Sequence, residues 1–171
     1  MNKHAHKVTS YALLTTLALI LSYVESQVPA FFAVPGMKLG LTNLVVMVAL
    51  YRMGERDAVT VNLIRICLGA LLFGNGFSLA YSLSGGLLSG FTMIALKRTG
   101  KFSIVGVSVA GGLAHNVGQI LASMVLLGTW RIAAYLAVLW ASGIAAGLVI
   151  GLLSGEITRR LPQSVISGGE P

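Results

Sequence analysis

Long apolar segments separated by short polar turns constrain the fold of this chain more than any other feature. The chain has 171 residues, of which 56% are hydrophobic and only 10% are charged, whereas about a quarter of a soluble domain is charged. A transmembrane helix needs about 20 mostly apolar residues, because the hydrocarbon core of a bilayer is about 30 Å thick. The sequence therefore predicts an all-α integral membrane protein with a single transmembrane domain over residues 1–171, which leaves no room for a soluble catalytic domain within these residues.

Six apolar segments follow one another, separated by Gly, Asn and Pro or by clusters of charge. The predicted spans cover about residues 9–27, 39–51, 58–73, 77–96, 102–127 and 132–154, and a short polar tail is predicted at 155–171. The second span is short and is consistent with a partly buried re-entrant start. The first segment lacks a small-residue cleavage site, so it is predicted to be a retained span rather than a signal peptide. Together the segments predict one bundle of six transmembrane helices.

Lys and Arg are distributed unevenly between the predicted loops. With six spans, only Lys38 and Arg131 fall on one side of the membrane, and nine basic residues fall on the other: Lys3, Lys7, Arg52, Arg56, Lys97, Arg98, Lys101, Arg159 and Arg160. Because cytoplasmic loops carry the excess of Lys and Arg, both termini are predicted to be cytoplasmic. The formal charge of +7 does not indicate a nucleic-acid partner, since the basic residues lie at segment ends rather than in a stripe with interleaved aromatic residues.

A polar cluster interrupts the fifth apolar segment. His115 and Gln119 are one helical turn apart, and Asn116 lies beside them. An unpaired polar group in hydrocarbon costs several kcal/mol, so such residues face a bundle interior or a water-filled cavity. Two interpretations stay open: the three residues line a ligand pocket, or they bridge neighbouring helices by hydrogen bonds. The helical rise places further polar residues at a similar depth and predicts an outward-opening polar chamber; these are Glu25, Asn43, Ser78 and Ser82.

Arg65 lies inside the third predicted span, where an arginine costs from about 2.5 kcal/mol upward. It is predicted either to pair internally, with Glu25 or helix-end carbonyls, or to donate to a carboxylate or phosphate of a ligand. Lys38 either adds a second positive charge at the rim of the chamber or is an exposed loop cation. Together Arg65 and Lys38 favour a small anionic or strongly polar ligand.

No motif in the sequence specifies a metal, a cofactor or a catalytic residue. The chain has no Asp-rich pair for Mg²⁺ and diphosphate, no Gly-Lys-Ser/Thr phosphate loop, and no His/Glu cluster with metal-ligand spacing. Cys67 is the single cysteine, which excludes an internal disulfide. We therefore expect binding rather than chemistry, with His115 as an acid or base as the alternative; uphill transport would need a partner or an ion gradient.

Small residues recur at every fourth position in the last two apolar segments. The two series are Gly106, Ala110, Ala114, Gly118 and Ala122 in the fifth segment, and Gly143, Gly147, Gly151 and Gly155 in the sixth. Such stripes let helix backbones approach closely in a membrane. They predict that the fifth and sixth helices pack together; the alternative is that one stripe docks a partner subunit. Ala12 and Thr16 form a weaker pair of this kind in the first segment.

Several motifs resemble those of a family of small bacterial membrane proteins labelled heptaprenyl diphosphate synthase component I, or Gx transporters. The resemblance covers about residues 8–155, and its residues are Glu25 and Ser26, the segment Pro-Gly-Met-Lys-Leu-Gly-Leu-Thr-Asn at 35–43, Arg65, the segment at 82–86, and His115 to Gln119. By size, six-span layout and cytoplasmic termini, the family is similar to the substrate-binding S-components of energy-coupling-factor transporters.

The resemblance implies a six-helix unit in the bacterial cytoplasmic membrane, with an outward-facing ligand pocket. It also implies a patch on the first helix that docks a coupling subunit working with ATPases; here that patch is Ala12 and Thr16, in place of two alanines. The residues expected to bind the ligand are Glu25, Lys38, Asn43, Arg65, Ser82, His115, Asn116 and Gln119. The alternative function is an accessory membrane subunit in prenyl diphosphate, quinone or quinone-linked electron-transfer metabolism, with a headgroup in the chamber.

Overall fold

The protein is described here by a computed structural model that covers residues 3–27 and 40–161. Lys38 lies outside these residues, as do the Pro and Gly residues between the first two predicted spans. The described residues form six α-helices and one short 3-10 helix. The α-helices are α1 (Lys3–Gln27), α2 (Asn43–Arg52), α3 (Glu55–Phe73), α4 (Gly76–Thr99), α5 (Ile104–Leu127) and α6 (Leu136–Arg160), and the 3-10 helix (Trp130–Tyr135) leads into α6. The prediction of an all-α protein with six helices is therefore confirmed.

Four segments of the described chain are helical, long and apolar enough to cross a bilayer. They are Ala5–Glu25, Gly76–Thr99, Ile104–Leu127 and Trp130–Arg160. By contrast, α2 has only 10 residues, a length of about 15 Å, and α3 carries charged residues in its first turn as well as Arg65. The sixth helix extends to Arg160, six residues past the predicted end of the sixth span at residue 154.

Two of the turns between these helices contain residues that favour turn conformations. Gly54 precedes α3 with φ at +117°, a value that favours glycine. The third helix begins at Glu55, three residues before the predicted start of the third span. Asn75 caps α4: Asn75 Oδ1 accepts a hydrogen bond from Ser78 N at 2.9 Å, and Ser78 Oγ accepts one from Asn75 N at 3.1 Å. This reciprocal capping box confirms the turn predicted around Asn75.

The short helix α2 lies inside the bundle and supplies much of its apolar core. It contacts α1, α3 and α6, and all residues from 45 to 50 are buried. A helix that is covered on every side can be hydrophobic on every side. Because α2 is enclosed by protein, a helix too short to span the bilayer is accommodated without exposing its ends to lipid chains.

Glycines bring α5 close to both α4 and α6, its principal neighbours. A Cβ added to Gly147 or Gly151 of α6 would lie 2.7 Å from a Cα of α5, so the predicted packing of the fifth and sixth helices is confirmed. The contacting α5 residues are Val105, Ser108, Val109 and Gly112, and Gly118 instead meets Ser84 O of α4. The predicted small-residue series on α5 therefore does not form this interface, because the helix is rotated relative to that expectation.

Charged pairs join the helices at one end of the bundle. Lys7 Nζ lies 2.9 Å from Asp57 Oδ1, which links α1 to α3. Arg98 Nε donates to Glu55 Oε1 at 3.0 Å, which links α4 to α3, and Lys97 Nζ donates to Leu50 O at 2.6 Å. These contacts place the start of α1, the α2–α3 turn and the end of α4 together. We call this end the ionic end.

Candidate functional site

Most polar residues predicted to face the bundle interior are buried there. Each of the following is between 5 and 8% exposed: Glu25, Asn43, Arg65, His115, Asn116 and Gln119. Ser82 is partly buried, and Lys38 lies outside the described residues. Buried polar groups need protein or water partners, so the contacts of these side chains decide which of them share a site.

A cavity of about 130 Å³ lies between α1, α3 and α4, and we call it the Arg65 cavity. Within residues 3–27 and 40–161, its polar lining consists of Arg65 and three serines; the lining residues are Ser22, Arg65, Ile66, Gly69, Ala70, Phe73, Gly74, Ser78 and Ser82. The cavity is large enough to hold several waters. The structure thus brings Arg65 together with Ser78 and Ser82, two of the residues that the helix depths predict to line the polar chamber.

Arg65 is held through one edge of its guanidinium. Its Nε donates to Asn62 Oδ1 at 3.0 Å, and Asn62 Nδ2 donates to Gly86 O of α4 at 3.2 Å. Among the described residues, the Nη atoms of Arg65 donate to no protein acceptor. Asn62 was not predicted; the signal that identifies it is an amide three residues before Arg65, on the same face of α3 and beyond its charged first turn.

Glu25 supplies a negative charge near Arg65. The two side chains interact electrostatically, and Glu25 Oε1 also accepts a hydrogen bond from Gly40 N, just before α2. Asn43 lies at the same place, since its backbone N donates to Gly40 O at 2.8 Å. Glu25 and Asn43 are therefore grouped around the entry to α2, beside the Arg65 cavity rather than among its lining residues.

His115 and Gln119 face α4. A Cβ added to Gly85 would lie 2.9 Å from His115 Nδ1 and 3.0 Å from Gln119 Cγ, so both side chains lie directly against this glycine. Gln119 Nε2 is buried without a hydrogen-bond partner among the described residues. Gly85 is one helical turn from Ser82, which places this pair next to the Arg65 cavity but outside its lining.

Asn116 faces the opposite way. Its Nδ2 donates to Leu139 O of α6, and a Cβ added to Gly143 would lie 2.6 Å from the same nitrogen. The expectation that all three polar residues of α5 address one space therefore holds for His115 and Gln119 but is wrong for Asn116. Asn116 makes the helix-bridging hydrogen bond that was the other interpretation, and its binding of a ligand stays a prediction.

Ala12 and Thr16, the predicted docking pair, are exposed on α1. Large apolar side chains are exposed on the same helix, including Leu13, Leu17 and Ile20. This surface faces away from the Arg65 cavity and is available to lipid or to a partner. Its docking role stays a prediction.

The apolar outer surface, the bilayer-length helices and the buried polar interior define an all-α membrane protein. Residues 14–157 match the family of heptaprenyl diphosphate synthase component I. The chain therefore belongs to this family, as its motifs predict. The family name denotes one component of a multi-subunit synthase. Neither a curated protein nor a solved structure matches the chain.

Proposed function

We propose that this chain is a substrate-capture subunit that binds a small anionic or strongly polar molecule in the Arg65 cavity for uptake. The observation that carries the proposal is Arg65, buried with its Nη atoms without a protein acceptor among the described residues, in a cavity lined by three serines. Guanidinium groups bind carboxylates and phosphates through two parallel hydrogen bonds. A buried arginine is costly in a membrane, which favours a functional reason for its presence.

In this proposal the protein has six transmembrane segments in the bacterial cytoplasmic membrane, with both termini in the cytoplasm. The ionic end is cytoplasmic, in accord with the excess of Lys and Arg there. The Arg65 cavity opens toward the outer face. Lys38, which lies outside the described residues, is expected to add positive charge on that side. Arg65 and Ser82 contact the bound molecule in the cavity. The predicted residues beside the cavity become ligand contacts after helix movement: Glu25, Asn43, His115 and Gln119.

The proposed subunit performs no chemical step and acts with partners. The exposed surface of α1 around Ala12 and Thr16 docks a transmembrane coupling subunit that works with ATPases. Conformational change driven by these partners releases the molecule inward. No cofactor or metal is needed for this function.

The family name favours a second candidate, an accessory membrane subunit of a prenyl diphosphate synthase. In that case the Arg65 cavity holds a diphosphate headgroup. The chain has a single aspartate, Asp57, so it does not contain an Asp-rich Mg²⁺ site of its own. The catalytic residues would then belong to a partner subunit.

Native mass spectrometry of the gently purified protein separates these functions. For the capture function we expect a retained water-soluble anion that is lost in Arg65→Gln, because glutamine removes the charged donors. A retained isoprenoid diphosphate or a stoichiometric synthase subunit supports the second candidate.

The matched control for this experiment is Arg131→Gln, which changes an exposed arginine in the 3-10 helix. It should leave the retained molecule unchanged, and both variants should be monodisperse by size-exclusion chromatography. Retention of the same molecule by Arg65→Gln contradicts the proposed site. Aggregation of Arg65→Gln alone indicates that Arg65 has a structural role.

A further inference from the structure

Asn62 has no role in the function proposed above, yet it is buried in direct contact with Arg65. It is 5% exposed, and its amide makes two hydrogen bonds: its oxygen accepts from Arg65 Nε at 3.0 Å, and its nitrogen donates to Gly86 O at 3.2 Å. A guanidinium has five N–H donors in a planar fork. With Nε occupied by Asn62, the four Nη–H donors remain for other acceptors.

We propose that Asn62 is a positioning residue that aims the Nη edge of Arg65 at an oxyanion group, a phosphate or a carboxylate, in the Arg65 cavity. The inference rests on the proposed anion binding at Arg65. A long side chain that is already fixed loses less conformational entropy when it binds, so prior fixation increases affinity. The hydrogen bond to Nε also fixes the plane of the guanidinium, on which a two-point contact with an oxyanion depends.

Asn62 is itself fixed by the close approach of α3 and α4. A Cβ added to Gly86 would lie 2.7 Å from Ile66 Cδ1 and 3.3 Å from Asn62 Nδ2. The absence of a side chain at Gly86 therefore lets Asn62 reach the backbone carbonyl of α4. A continuous path of contacts runs from the α4 backbone through Asn62 to Arg65.

The competing explanation is that Asn62 only joins α3 to α4 through Gly86 O. The two explanations differ in which hydrogen bond matters. If Asn62 only joins the two helices, its effect depends on the hydrogen bond to Gly86 O and does not change with the residue at position 65. If Asn62 positions Arg65, its effect on anion binding requires the Nε–H group of an arginine at position 65.

The first test is titration calorimetry of the purified full chain in detergent with inorganic phosphate and with diphosphate. Asn62→Ala should weaken binding about tenfold, because the arginine side chain is then no longer held and must be immobilised when the anion binds. The matched control is Lys97→Met, which removes another side chain-to-carbonyl hydrogen bond between helices, to Leu50 O at the ionic end. It should bind both probes like the unaltered protein.

The second test repeats Asn62→Ala in an Arg65→Lys background, which keeps the charge but has no guanidinium. The positioning role predicts no further loss of affinity there. A tenfold loss in both backgrounds, or no loss in the arginine background, overturns the inference. If the unaltered protein binds neither probe, or if Arg65→Gln binds like the unaltered protein, the proposed site fails and the inference fails with it.

A third measurement needs no bound anion. In protein labelled with ¹⁵N-arginine, the Nε–H signal of Arg65 is identified by its absence in Arg65→Lys. We expect slow exchange of this proton with solvent in the unaltered protein and fast exchange in Asn62→Ala. Equal exchange in both proteins overturns the positioning role even where binding to Arg65→Lys is too weak to measure.

Discussion

Single glycines decide how closely polar side chains approach the neighbouring helix. Gly85 lets His115 and Gln119 lie against α4, and Gly86 lets Asn62 reach a backbone carbonyl. In a membrane no hydrophobic effect drives helices together, so close packing and hydrogen bonds between helices determine their association. The glycines of α4 therefore shape the polar interior as much as the polar residues themselves.

Gly85→Ala should destabilise the protein, whereas Gly90→Ala on the same helix should not. A Cβ at Gly85 would lie 2.9 Å from the His115 ring, while a Cβ at Gly90 meets nothing within 4 Å. We expect Gly85→Ala to cost about 1–3 kcal/mol through overpacking, and Gly90→Ala to be neutral or to stabilise by up to about 1 kcal/mol through helix propensity. Thermal unfolding in detergent measures both, and equal midpoints for the two variants contradict the packing seen here.

At the scale of helices, α1 is attached to α3 near both of its ends. At the ionic end, Asp57 Oδ1 accepts from Tyr11 Oη at 2.5 Å and pairs with Lys7 Nζ at 2.9 Å. At the other end, the rings of Tyr23 and Phe73 lie 5.2 Å apart between centroids. Since Ser22 of α1 and Arg65 of α3 both line the Arg65 cavity, these attachments maintain the separation of two of its walls.

The attachment at Asp57 should be sensitive to acid. Burial raises the pKa of Asp57, but the hydrogen bonds from Tyr11 and Lys7 outweigh this and leave the pKa below its usual value. A lowered folded-state pKa means that the stabilisation is fully present above the unfolded value of about 4 and is lost as the pH falls through the folded-state value. Asp57→Asn should therefore lower the thermal midpoint at pH 6 to 7.

The two proteins should become equally stable at a pH below the folded-state pKa of Asp57, where the carboxyl is protonated in the unaltered protein as well. Thermal unfolding measured as a function of pH in detergent tests this. A midpoint difference that persists unchanged at low pH shows that the substitution disturbs packing and that the ion pair is not the source of the stability.

At the scale of the whole molecule, the helices enclose a polar interior within an apolar exterior. The short α2 lies in contact with α1, α3 and α6, and α5 lies between α4 and α6. The ionic end groups basic residues from three parts of the chain that are distant in sequence. In the proposed six-segment topology, the start of α1 and the end of α6 lie on the same side of the membrane.

Reporter fusions test that topology. Alkaline phosphatase fused after Arg160 should be inactive, because this enzyme does not become active in the cytoplasm. Green fluorescent protein fused there should be fluorescent, because it folds in the cytoplasm. Alkaline phosphatase inserted after Gly128, in the turn between α5 and the 3-10 helix, should be active. An active phosphatase after Arg160 contradicts the six-segment topology and with it the cytoplasmic placement of the C-terminus.

The sequence by itself determined the helical class, the number of helices and the approximate positions of the turns that lie within the described residues. These features follow from properties of short stretches: apolar length, glycine and asparagine at turns, and the capping pair Asn75 and Ser78. It also predicted that Arg65, His115 and Gln119 are buried, since polar groups in an apolar helix avoid lipid.

Only the tertiary structure decided which polar groups meet. It places Arg65 with Asn62 and the serines, His115 and Gln119 against Gly85, and Asn116 against α6. These contacts depend on the rotation of each helix about its axis and on the distance between helices. Residues far apart in the chain together determine the rotation of each helix and the distance between helices. Glycines allow close approach only where the facing helix has a complementary surface. This complementarity cannot be predicted from either segment alone.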